Sequence, residues 1–242
     1  MSAQADLFAA GVAEAPPLAG LAPPADPCAE LRERFVAYGA AALDEGDTLA
    51  LILARCLRPG ANVCYAADAL MARFGGLARI FGAPEPELAR VVGRDAAREL
   101  VLLHGLLLRV LEHPLRQRTL LGSHEAVTTY LRARLAALPR EVFHVLFLDK
   151  RNQLIADERL GVGTVDHAPV YPREVARRAL ELSASAVLLA HNHPSGDPAP
   201  SRADIDMTNQ VVEALRVLRI AVPDHFIVAG DQVLSFRAQG LM

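Results

Sequence analysis

Apolar positions change their spacing twice along the chain. Residues 1–27 show no sustained apolar period; alanine and proline dominate, with Pro16-Pro17 and Pro23-Pro24. Such text has little to bury, and a disordered leader is expected over residues 1–29. From about Glu30 to Leu111 the spacing is helical. Leu49, Leu51, Ile52 and Leu53 precede a break at Pro59-Gly60, and a second segment from Ala66 to Phe74 ends at Gly75-Gly76. With no β-rich run in this region, residues 30–118 read as a small all-helical domain. Its longest apolar stretch, Leu100 to Leu111, is interrupted by His104, Gly105 and Arg109. That is too short and too broken to span a bilayer, so a buried helix is expected.

At Val142 the period shortens. Val142–Leu148 (VFHVLFL) reads as a strand, Asp149–Asn152 as a turn, and Leu154–Gly161 as the returning strand of a hairpin. Pro172 suits a helix start and leads into Glu174–Leu182. Ala186–Ala190 is short and wholly apolar, as in a strand covered on both faces. A polar loop, His191–Pro200, then precedes a helix over Ser201–Leu218. Strands near Ala221–Val228 and Gln232–Phe236 close the chain. This order predicts an α/β sandwich with a central mixed sheet over residues 119–242.

Composition narrows the class. Just over half the residues are apolar and 22% are charged, a globular balance. The amino terminus has no basic segment followed by a long apolar run, and the three cysteines are far apart. Reduced thiols in a cytoplasm are therefore expected, with no membrane segment. The net charge of −3 gives no overall attraction to nucleic acid. Only residues 87–140 are basic, nine cationic against five acidic groups, and such a stretch is more often a solvated helix face than a nucleic-acid surface.

Candidate chemistry sits after the apolar strand, at His191-Asn192-His193. Residues two apart in extended backbone point to one side, so both imidazoles can reach one point. H-x-H alone is a weak signal. A carboxylate strengthens it. Ser201 and Asp204 form S-x-x-D, which as a helix-capping pair would need no metal. Helical phase adds a second demand on Asp204. With Ile205 at 0° and about 100° per residue, Thr208, Val211, Val212, Leu215 and Leu218 fall on one apolar face, and Asp204 and Ser201 fall with them. Asp206 points away. An inward carboxylate needs a partner, and a cation shared with His191 and His193 supplies one. Two imidazoles and a carboxylate suit zinc, with a fourth position open as in catalytic sites. No P-C-x-x-C follows, as a zinc deaminase would require.

The spacing His191-x-His193, seven residues, Ser201, two more, Asp204 resembles the JAMM motif of MPN-domain metalloproteases. HNHPSGDPAPSRAD, with YPREV before it and DHFIV after it, resembles the RadC family, bacterial proteins named for DNA repair. The resemblance runs from about Leu31 to the carboxyl terminus. It implies an MPN fold and zinc-dependent hydrolysis of an amide or isopeptide bond in a peptide or protein. It also implies a glutamate at the start of the first strand as general base; that position matches Glu141. On residue type alone Glu141 would be an ordinary exposed strand-start residue. Glu174, already suited to the first turn of a helix, and Glu158 are the alternatives. Ser201 would add a hydrogen bond to the oxyanion. Pro194–Asp197 would shape the mouth of the site, with Ser195 a turn residue rather than a nucleophile.

RadC relatives also carry a helix–hairpin–helix whose G-x-G turn offers backbone N–H groups to a DNA phosphate. Here the stretch is Val91–Ala97; Gly93 is kept, but Asp95 stands at the second glycine. An acidic residue there repels phosphate, and the lost glycine restricts the turn. The rival readings are a DNA-repair-associated nucleic-acid or protein-binding factor with a secondary metal site, and, more weakly, a phosphodiester-cleaving enzyme.

Overall fold

The computed structural model describes residues 28–58, 60–117, 124–162 and 170–242. The expected leader, apart from Cys28 and Ala29, lies outside them, as do Pro59 and the boundary expected at 118–119.

The amino-terminal half is helical: α1 (Ala29–Tyr38), α2 (Glu45–Cys56), α3 (Val63–Phe74), α4 (Leu77–Gly82), α5 (Glu85–Val92) and α6 (Arg94–Gln117). Side-chain caps start two of these, Asp44 Oδ1 accepting from the Asp47 N–H and Asn62 Oδ1 from the Tyr65 N–H. Gly75 ends α3 in the left-handed region, where a side chain would be strained. Leu49, Leu53, Leu70, Ile80, Leu88 and Leu100 make one core here. The 24-residue α6 extends about 36 Å, and its Leu108 and Leu115 join a different core, the one beneath the sheet.

Its middle departs from the expected buried helix. Leu102, Leu106 and Val110 are 65%, 57% and 62% exposed. An apolar sequence shows that a face can be covered, but not which neighbours cover it. No described helix is long and apolar enough to cross a membrane.

The second half holds α7 (His124–Leu135), β1 (Val142–Leu148), β2 (Leu154–Val162), α8 (Pro172–Glu181), β3 (Ala186–Asn192), α9 (Arg202–Val217), β4 (His225–Ala229) and β5 (Gln232–Ser235). The strands form one mixed sheet, order β2-β1-β3-β4-β5, with only β3 and β4 parallel. Both faces are covered, which is why β1 is apolar except for His144 and β3 is apolar up to Ala190. Leu146, Leu148, Leu188 and Val228 face α6 and α7. Phe143, Val145, Phe147, Val187 and Leu189 face Val175 and Ala179 of α8 and Val211 and Leu215 of α9. The chain thus has a helical amino-terminal region followed by a mixed sheet with helices against it.

Several element ends differ from the sequence reading, three of them with a clear cause. The strand expected from Ala221 begins at His225; Ala221 makes only an isolated bridge to Ala186, and Pro223 has no N–H to extend the ladder. Ser201 is exposed because it is the N-cap, outside the helix, where helical phase no longer applies. Leu218 at the other end is likewise past the helix and exposed.

A buried polar knot joins α7 to the sheet. Asp157 on β2 meets His144 Nδ1 of β1 at 2.7 Å, accepts from Tyr130 Oη at 2.6 Å, and lies 3.4 Å from Arg134 Nε. Burial alone would push this carboxyl up, but His144, Tyr130 and Arg134 hold it below the usual range. A depressed folded value contributes stability above the unfolded pKa of about 3.9, and loses it as pH falls through the folded value. Denaturant midpoints measured from neutral pH downward should therefore fall more steeply below about pH 4 in the natural chain than in Asp157→Asn. Parallel curves would show that Asp157 has no such linkage.

Candidate metal centre

Strand alternation builds the centre. Leu189 faces α9, so His191, two residues on, faces it too, and His193 follows where β3 ends. The first helical turn of α9 brings Asp204 to the same place. His191 Nε2 and His193 Nε2 are 2.9 Å apart; Asp204 Oδ1 is 3.4 Å from His191 Nε2, and Oδ2 is 3.6 Å from His193 Nε2. Donors around a tetrahedral zinc, each about 2.0–2.1 Å from it, stand about 3.3 Å apart, so these separations fit. Among the described residues these three form a group able to hold a metal ion.

Each donor is oriented by a second contact. His193 Nδ1 lies 2.8 Å from the Asp197 carbonyl, which can only accept, so Nδ1 carries a proton and Nε2 is the nitrogen turned toward the centre. Asp204 Oδ2 accepts from the Ser201 N–H at 2.7 Å and the Ser201 hydroxyl at 2.6 Å, while Ser201 Oγ accepts from the Asp204 N–H. The capping pair and the inward carboxylate are therefore one structure. Burial would raise the Asp204 carboxyl, but His193, His191 and Ser201 hold it far below the usual carboxylate range. The hydrogen bond to Asp204 pushes His193 up against the opposing effect of burial. Imidazole and carboxylate thus share a site in which one cation is stabilised.

The other singled-out residues fall as follows. Glu141 is buried at 8% exposure, just before β1, and its charge helps raise His193. Glu174 is half-exposed on α8 and paired with Arg177 at 3.0 Å; Glu158 grips Arg178 through both oxygens at 2.6 and 2.7 Å. Both alternatives are thus held in ion pairs. Ser195 Oγ accepts from the Asp197 N–H inside the turn. A cavity of about 360 Å³ opens on this loop, lined by His193, Ser195 and Gly196 and, across from them, by Arg73, Arg79 and Glu87 of the helical region.

Sequence reasoning passes over three residues that support the centre. Asn192, pointing opposite to its histidine neighbours, accepts from the Val142 N–H and donates to the Leu138 and Arg140 carbonyls, which fixes the backbone around Glu141. His225, fully buried on β4, lies 2.8 Å from His191 Nδ1, and its other nitrogen lies 2.7 Å from Thr208 Oγ1. Burial and the neighbouring His191 push His225 well below the ordinary imidazole value. Its place in DHFIV, and its being polar in an otherwise apolar strand, are the signals the sequence offers for it.

A family model described as "RadC-like JAB domain" matches residues 121–241. A "UPF0758 protein" of Rhodobacter capsulatus is 46% identical over 214 residues, covering 88% of this chain and all of that relative. The chain belongs to the RadC family. All three candidate ligands, with Glu141 and His225, lie inside the RadC-like JAB domain, whereas Arg73, Arg79 and Glu87 of the cavity wall precede it.

Proposed function

We propose that this RadC-family chain is a zinc-dependent hydrolase of amide or isopeptide bonds, acting on a peptide or protein. The observation that carries the reading is the convergence of His191, His193 and Asp204 with a buried glutamate beside them. A zinc ion held there would polarise a carbonyl and bring the pKa of a water to about 7. Glu141 takes the proton of the attacking water and returns it to the leaving amine. Its burial and its electrostatic contact with His193 support that role over Glu174 and Glu158. Ser201 orients the Asp204 carboxylate through its N–H and hydroxyl, and with a cation held by His191, His193 and Asp204 the hydroxyl would be able to turn to the oxyanion. The test is a peptide-library cleavage assay on zinc-loaded protein, with Glu141→Gln in parallel. Cleavage lost in the variant supports the reading, and equal cleavage by both opposes it.

The rival, a nucleic-acid factor, draws on the α5–Gly93–α6 hairpin. There the Gly93 N–H is taken up by the Ala89 carbonyl at 3.0 Å, Asp95 occupies the first turn of α6, and Arg98 is paired with Glu85. This leaves little to hold a phosphate. DNA binding should be weak and fall steeply with added salt in a fluorescence anisotropy titration. Tight, sequence-selective binding at physiological ionic strength would reverse the ranking.

A further inference from the structure

We propose that His225 is a positioning residue: by accepting the proton of His191 Nδ1, it holds His191 in the tautomer whose Nε2 lone pair faces Asp204 and His193. This rests on the reading of those three residues as metal ligands.

The direction of each hydrogen bond follows from one fixed point, the backbone carbonyl of Asp204. That oxygen can only accept, and Thr208 Oγ1 is 2.6 Å from it, so the Thr208 proton is committed there. Thr208 Oγ1 must then accept from His225 Nδ1, 2.7 Å away. Neither nitrogen of His225 meets a carboxylate, and the ring is fully buried, so it carries a single proton, on Nδ1. Its Nε2 is left as an acceptor, and His191 Nδ1 at 2.8 Å donates to it. His191 Nε2 is thereby a lone pair. The relay starts at the backbone of one ligand, Asp204, and ends by preparing another, His191. His193 is set separately, by the Asp197 carbonyl. A ligand imidazole fixed through its second nitrogen binds metal more tightly, and losing such a partner typically costs about 10–100-fold in affinity.

Phe143 and Phe236 flank His225, with ring centroids at 5.6 and 4.5 Å, so His225→Phe keeps the ring packing while removing the acceptor for His191 and the donor to Thr208. Zinc affinity, measured by competition with a chelator, should drop about 10–100-fold in His225→Phe. In His225→Gln, whose amide oxygen can accept from His191 Nδ1, most of the affinity should return. Nitrogen-15 NMR without added metal should show His191 protonated on Nδ1 in the natural chain and shifted away from that state in His225→Phe and Thr208→Val. Unchanged zinc affinity in His225→Phe, or one His191 tautomer in every variant, would overturn the inference. A natural chain that binds no zinc would instead refute the ligand reading, and the NMR measurement would still decide the role of His225.

A second inference comes from α6. We infer that its exposed apolar stripe is the contact surface for a second copy of this chain. Over residues 100–111, where only His104, Gly105 and Arg109 interrupt the apolar run, α6 is apolar on nearly every side, and such a segment belongs in a covered position. Leu102, Leu106 and Val110 nevertheless stand more than half exposed, on the side opposite Ala97, Leu100 and Leu108. At about 100° per residue, Glu99 and His113 lie on the same narrow stripe, one at each end. The stripe is self-complementary about Leu106. An antiparallel copy sets Leu106 on Leu106, Leu102 on Val110, and Glu99 against His113 with Arg109 one turn away. Twofold interfaces require this property. Neither Glu99 nor His113 has an ion-pair partner among the described residues.

Sedimentation velocity should show a concentration-dependent dimer. Leu106→Glu should give a monomer with an unchanged circular dichroism spectrum. Glu99→Arg should weaken association, and adding His113→Glu should restore it. A monomer at every concentration, or a dimer indifferent to Leu106→Glu, would overturn the inference.

Discussion

Asp204→Asn is expected to empty the metal centre while leaving the fold in place. The carboxylate is the only anionic donor among the three and the one that neutralises charge between two imidazoles. An amide offers a single, uncharged oxygen. It also places an NH₂ group near the Ser201 N–H and hydroxyl, which now donate to Asp204 Oδ2 at 2.7 and 2.6 Å. The amide can satisfy those donors or face the histidines, not both. Metal affinity should fall by more than the roughly 10–100-fold typical of losing a mere supporting contact. Stability should fall by about 1 kcal/mol, the scale of a weakened helix cap. Calorimetric zinc titration together with thermal melting measures both. A variant that binds zinc as the natural chain does would remove Asp204 from the ligand set.

Glu141→Gln should have the opposite signature. Glu141 is not one of the three convergent donors, so the variant should keep its zinc. The amide cannot take a proton from water, and loss of a general base typically lowers the rate by about 10²–10⁴. The backbone at this point is held by Asn192 through Val142, Leu138 and Arg140, and glutamine has the size and shape of glutamate, so the fold should survive. The comparison is Glu174→Gln, which breaks only ion pairs with arginines on a helix surface. Full activity in Glu141→Gln with activity lost in Glu174→Gln, zinc present in both, would move the base to Glu174 and leave the metal centre untouched.

What the sequence makes legible depends on how local the cause is. β1 is readable because VFHVLFL is buried on both faces and therefore apolar but for His144. The meeting of two histidines follows from the two-residue period of extended chain, and the inward aim of Asp204 from the phase of α9. Ser201 marks where that method stops, since an N-cap is outside the helix. The contact of His225 with His191 is illegible for a different reason. His225 lies 34 residues from His191, and only the parallel pairing of β3 with β4, Leu189 opposite His225 and His191 opposite Ile227, brings them together. Asn192 is hidden by its neighbours, because the same alternation that unites His191 and His193 turns it to the other side. The exposed stripe on α6 shows a third limit. Apolar composition states that a helix has surface to bury, and only tertiary packing decides which part of it the rest of the chain covers.

The measurement closest to the central claim is elemental analysis of the purified natural chain beside His193→Ala. His193 is the least buried of the three donors, with 14% of its side chain exposed, so the substitution disturbs packing least. The account predicts about one zinc per natural chain and little or none in the variant, with matching circular dichroism spectra. Equal metal content in the two proteins, or none in either after growth and purification with zinc supplied, would contradict it.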